Sequence, residues 1–149
     1  MTATEFERRL GKLALREGMT FASFISLGGA DRAVLNATIL AHFDADAAYN
    51  EREVNEELKA WLAGAGSMIA TDHVSLRRLL VDTQALARTA DCAEYRLQQR
   101  PATGLAADLA ALDAEAIVAN ARRADAERRA ARKAAWLQRA DGPGNPGAA

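Results

Sequence analysis

Apolar side chains recur at helical spacing in several separate stretches of the chain. Phe6, Leu10 and Leu13 stand at i, i+4 and i+7 behind Thr2-x-x-Glu5, which predicts a short amphipathic helix ending near Gly18. Phe21, Phe24, Ile25 and Leu27 form a cluster stopped by Gly28-Gly29, a pattern that fits a buried helical turn or a short strand equally well. From Asp31, placed as a cap, Leu35, Ile39, Leu40 and Phe43 trace one face of a helix. Asn50 and Glu53 resemble a capping box ahead of Val54, Leu58, Trp61 and Leu62, and Gly64-Ala65-Gly66 ends that helix. Thr71 or Asp72 then opens a third helix, whose inward side is Leu76, Leu79, Leu80 and, near its end, Leu86. Ser75, Arg77, Arg78 and Asp82 are left on or beside the outward side.

After Leu86 the period shortens. Leu86–Thr89 and Glu94–Leu97 alternate about Ala90–Ala93, which reads as a short β-hairpin. Beyond Pro101, Thr103 can cap a long alanine-rich helix carrying Leu105, Leu109 and Leu112 on its leading face. Ile117 and Val118 drift off that stripe, so docking is expected only through the first turns. The tail from Asp141 is too rich in Gly and Pro to continue a helix. The chain therefore divides into an N-terminal helix and connector (1–30), a central unit (31–100), an alanine-rich and partly basic helix (101–140) and a disordered tail (141–149). Three helices followed by a two-stranded ribbon define a mainly α, winged-helix-like unit, flanked by an N-terminal helix and a long C-terminal helix.

That order gives the third helix a possible task, because the DNA major groove, about 12 Å wide, admits one helix. A guanidinium is a planar fork suited to guanine edges and phosphates. Ser75, Arg77 and Arg78 are thus candidate DNA contacts, and Arg88 and Arg96 on the ribbon are candidates for the flanking backbone. Between 122 and 139 seven basic residues face two acidic ones. Arg122, Arg123, Arg128, Arg129, Arg132 and Lys133 are a candidate auxiliary arm. Each feature also has a plain structural reading. The arginines can solvate a helix, with Arg78 pairing Asp82 at i+4, Glu53 can serve its cap, and Asp72 beside His73 is better placed as a cap than as half of a catalytic pair.

Composition narrows these choices. Half of the 149 residues count as hydrophobic, but 36 are alanine, so the core must be small and local. The 19 basic and 20 acidic residues nearly cancel, so attraction to a polyanion has to come from a local patch. Cys92 is the only cysteine, and His42 and His73, the only histidines, fit no metal-ligand or triad spacing; no phosphate-binding glycine loop or nucleophile elbow is present. Neither a metal nor a cofactor is expected, nor an enzyme. The N-terminus lacks a secretory apolar run and no stretch is long and apolar enough to span a bilayer, which predicts a soluble, cytoplasmic protein without membrane contact.

The string Tyr49-x-Glu51-x-Glu53-Val54-Asn55-x-x-Leu58, with Asp72-His73-Val74-x-Leu76-Arg77-Arg78-x-Leu80-Val81-Asp82, Leu86-x-Arg88-Thr89 and Tyr95-Arg96, resembles domain of unknown function 2087 over about residues 31–98. The resemblance implies a bacterial, winged-helix-like domain with transcription-related work and no established activity. The chain departs from the pattern in a longer connector from Ala63 to Thr71, in Thr83-Gln84-Ala85 where an aromatic-Gly pair is common, and in Asp91-Cys92 where Asp-Gly is expected at the ribbon tip. Two readings follow: a small DNA-binding regulator acting on double-stranded DNA, or an interaction module that dimerises or binds a partner through the C-terminal helix.

Overall fold

The computed structural model describes residues 1–98 and 112–141, and the elements in chain order are α1 (Ala3–Ala14), β1 (Met19–Thr20), α2 (Phe21–Ile25), α3 (Gly29–Leu40), β2 (Ala48–Tyr49), α4 (Glu51–Ala63), β3 (Ile69–Ala70), α5 (His73–Asp82), β4 (Leu86–Arg88), β5 (Tyr95–Leu97) and α6 (Ala114–Ala140). The expected cap at Thr103 and the positions Leu105 and Leu109 lie outside the described residues, as does most of the tail.

The helix starts follow from side-chain oxygens that satisfy amides otherwise left free. Thr2 accepts from the Glu5 amide, Thr20 from Ser23, Asp72 from Ser75 and Asp113 from Ala116. Asn50 and Glu53 form a complete capping box: the Glu53 amide donates to Asn50 Oδ1 at 2.8 Å and the Asn50 amide to Glu53 Oε1 at 3.1 Å. The cluster after Phe21, ambiguous in sequence, is the helix α2. Arg32 donates to the carbonyls of Phe24 and Ile25 near its end and lays its guanidinium 4.4 Å from the centre of the Phe24 ring. Asp31 is not the cap expected. The helix begins two residues earlier behind Gly28, and Asp31, in its first turn, accepts from Arg9 at 3.0 Å. A carboxylate is favourable there because it faces the positive end of the helix dipole.

Two small sheets hold the helices in register. β2, β5 and β4 form an antiparallel sheet in that order, with Tyr49 opposite Tyr95 and Ala87 opposite Arg96. The order α3-β2-α4-α5-β4-β5, in which the first strand pairs with the last, makes this a winged-helix-like unit. β1 and β3 pair in parallel, Met19 with Ile69, so the long connector is tied to the N-terminal segment. One core serves both: Phe6, Leu10, Leu13, Met19 and Phe24 are buried with Val34, Leu35, Ile39, Val54, Leu58, Trp61, Leu76, Leu80, Leu86 and Tyr95. Its single buried polar contact of note is satisfied, with Trp61 Nε1 donating to Thr38 Oγ1 at 2.9 Å and that hydroxyl donating to the Leu35 carbonyl. Gly66 passes directly under Trp61: a Cβ there would stand 2.5 Å from the indole ring.

Both remaining departures from the family pattern fall on unusual backbone. Gln84 (φ 61°) and Cys92 (φ 59°) are the non-glycine residues with positive φ among those described. Gln84 turns the chain out of α5 and Cys92 turns the ribbon tip, positions where glycine carries no Cβ penalty.

α6 docks by Val118, which is buried, and by half-buried Ile117 and Ala121, against α1, and Arg122 Nε donates to the Ala14 carbonyl that ends α1. From Ala126 to Arg139 every side chain is exposed. At 1.5 Å per residue this leaves a projecting helix of about 20 Å.

Candidate nucleic-acid interface

The expected interface begins at α5, whose capped start and leucine-lined inner side leave residues 75, 77 and 78 near the surface. Ser75 turns back on its own cap: its amide donates to Asp72 Oδ1 at 2.7 Å and its hydroxyl to Oδ2 at 3.3 Å. The hydrogen bond from the Ser75 amide holds the Asp72 carboxyl below the usual range. The two arginines part company. Arg78 is exposed and makes no ion pair among the described residues, with Asp82 or otherwise. Arg77 keeps only 15% of its side-chain surface exposed, pairs with Glu51 at 3.0 Å and donates to Asn55 Oδ1, clasping the start of α4. An outward-facing pair was expected, but helical rotation of about 100° per residue aims Arg77 at α4 and Arg78 at solvent.

The ribbon divides its arginines in the same way. Residues opposite each other in an antiparallel pair share a face, and neighbours along a strand do not. Arg88 lies opposite buried Tyr95, whereas Arg96 lies opposite exposed Ala87, so the two arginines stand on opposite faces. Arg96 pairs with Glu94 at 3.0 Å, and Arg88 is exposed with no ion pair among the described residues. At the tip Asp91 accepts from the Thr89 hydroxyl at 2.6 Å and from the Ala93 amide at 3.1 Å, and these bonds keep its carboxyl below the usual range. Arg77, Arg78, Arg88 and Arg96 therefore do not form one continuous cationic face. Residues 29–97 hold seven basic and eleven acidic side chains, a net charge of −4.

The positive charge is concentrated on α6. Arg122 is tied to α1 and Arg123 donates to Asn120 Oδ1 at 2.8 Å. Arg128 and Arg129 share Asp125, at 3.8 and 2.9 Å, while Arg132 and Lys133 are exposed with no ion pair among the described residues. Trp136 and Leu137 near the free end are 62% and 44% exposed. A second cationic group is Arg8 and Lys12 on α1 with Arg16 just past its end. Its i, i+4, i+8 spacing was the sequence signal that marks it, masked by the apolar stripe of the same helix.

No group of three or more His, Cys, Asp or Glu side chains is placed to hold a metal ion among the described residues, and no described helix is long and apolar enough to cross a membrane. The class of protein these observations define is a winged-helix-like domain with an N-terminal helix and a cationic C-terminal helix. Residues 29–97, from the first residue of α3 to the last of β5, match the family described as "uncharacterized protein conserved in bacteria", domain of unknown function 2087, and this segment is similar to that family. No curated protein and no solved structure matches the chain.

Proposed function

We propose that the chain is a small, non-catalytic bacterial DNA-binding protein of the cytoplasm, a transcriptional regulator or a domain associated with one, whose affinity comes mainly from α6. The observation that carries this reading is the free half of that helix: between residues 126 and 139 five cations face one carboxylate, Glu127, and none of their side chains is packed against the body. Such an arm can lie along a phosphate backbone and release its counterions. Arg78 and Arg88, the cations of α5 and the ribbon without ion pairs among the described residues, are the contacts the winged-helix unit can add, while Arg77 acts as a clamp between α4 and α5. Five cations meeting five phosphates give a slope of log K against log salt of about −4 to −5. Fluorescence anisotropy of a random DNA duplex with the full chain, repeated across salt concentrations, tests this; absence of binding at low salt would remove the proposal.

The second reading, an interaction module that self-associates through the C-terminal helix, is favoured by the net negative winged-helix unit and by exposed Trp136 and Leu137. On that reading Trp136→Ser/Leu137→Ser converts a dimer to a monomer in light scattering and leaves the salt slope with DNA absent in both forms.

A further inference from the structure

A cleft of about 70 Å³ opens where α1 meets the first turn of α3, lined by Arg8, Arg9, Lys12, Leu13, Arg16 and Asp31. On this measure about 10–15 Å³ suffices for one water, so the space takes several waters or a small group such as a tetrahedral oxyanion. The four cations divide by role. Arg9 is fixed: its guanidinium bridges Glu5 and Asp31, each at 3.0 Å, and the hydrogen bond it donates to Asp31 is the main cause that raises its pKa above the ordinary arginine value. Asp31, the one carboxylate in the lining, is thereby engaged by Arg9. Arg8 and Lys12 are exposed one turn apart on α1, Arg16 is exposed just past its end, all three line the cleft, and none makes an ion pair among the described residues. Like charges one helical turn apart, as Arg8 and Lys12 are, repel, and no carboxylate pairs with them among the described residues as Glu5 does with Arg9. A concave surface lined by cations of one sign concentrates positive potential.

We infer that this cleft is an oxyanion site that takes the phosphate group of a phosphate ester, with Arg8, Lys12 and Arg16 donating to its oxygens and Arg9 held at the rim by Asp31. The cleft is small and open, so the remainder of the ligand lies outside it. Two sources carry that group, a small phosphorylated molecule and a nucleic-acid backbone, and the inference stands independently of the DNA-binding reading because α6 takes no part in the cleft.

The test follows backbone amide resonances of the full chain during titration with inorganic phosphate, with chloride at matched ionic strength as the reference, and then with a short DNA duplex. Saturable shifts confined to α1 and the start of α3 at millimolar phosphate are expected. Loss of two charge-assisted contacts in Lys12→Gln/Arg16→Gln lowers that affinity by at least about tenfold, while Lys12→Arg retains it. Both side chains are exposed, so an unchanged spectrum elsewhere certifies the fold of the variant. If the duplex moves the same resonances and phosphate displaces it, the source is a backbone; if the duplex leaves them unmoved, it is a small phosphorylated molecule. A response to phosphate no different from chloride, or one undiminished in the double variant, overturns the inference, and neither result bears on whether α6 binds DNA.

Discussion

Arg77 and Arg78 are chemically identical and adjacent, yet one is a strut and the other a free charge. Arg77 holds Glu51 and Asn55 across the helix pair, so Arg77→Glu sets a carboxylate against Glu51 and leaves Asn55 without its donor. We expect it to cost about 1–3 kcal/mol of folding stability, whereas Arg78→Glu leaves the urea midpoint unchanged; equal midpoints for the two variants would contradict the assignment. Nothing in the sequence distinguishes these neighbours, because the partner of Arg77 lies on another helix and only the packing angle brings it near. The positive-φ residues give a converse case. Family comparison marked both Cys92 and the tripeptide around Gln84, and the backbone explains why: Gln84→Gly and Cys92→Gly relieve a left-handed conformation and should raise the thermal midpoint. The carboxyls of Asp72 and Asp91 are held below their usual values by hydrogen bonds, so their contribution is present at neutral pH and is lost as pH falls through those lowered values. Asp72→Asn, which keeps an acceptor at the cap, should flatten this part of the acid denaturation profile.

At the level of elements, much of what was locally encoded could be read, the Asp31 cap and the undecided α2 being the exceptions. The capping box of α4, the Asp72 cap of α5, the ribbon and the helical spacing of the buried leucines all depend on residues a few positions apart, where turn chemistry and periodicity act directly. Asn50→Ala should therefore destabilise by about 1 kcal/mol, measurable by urea unfolding. What escaped the sequence was pairing over distance. The two-residue strands β1 and β3 are too short to show alternation, and the connector from Ala63 to Thr71 that contains β3 looks like a loop until Met19 meets Ile69. Gly66 belongs to the same class: as sequence it is a helix stop, but in the fold it makes room for Trp61. Gly66→Ala forces the indole or the backbone to move and should abolish the sharp unfolding transition that Ser67→Ala leaves intact. The docking of α6 was likewise only half legible, since Ile117 and Val118 gain meaning as an apolar pair only once α1 is there to receive them.

Across the whole molecule, charge is segregated rather than absent. A total of −1 conceals a winged-helix-like unit at −4 and a C-terminal helix whose exposed half is cationic. The same fold order that suggests a groove-reading helix thus comes with a surface that repels phosphates over much of its area, and the arm must supply the attraction for DNA to be held. The direct measurement compares the salt dependence of duplex binding for the native chain, Arg132→Glu/Lys133→Glu/Arg139→Glu on the arm, and Arg78→Glu/Arg88→Glu on the winged-helix unit. If the account is right, the arm variant loses most of the affinity and the slope falls by about 3, while the second variant loses a smaller share of each. An arm variant that binds as the native chain does, with an unaltered slope, would contradict it.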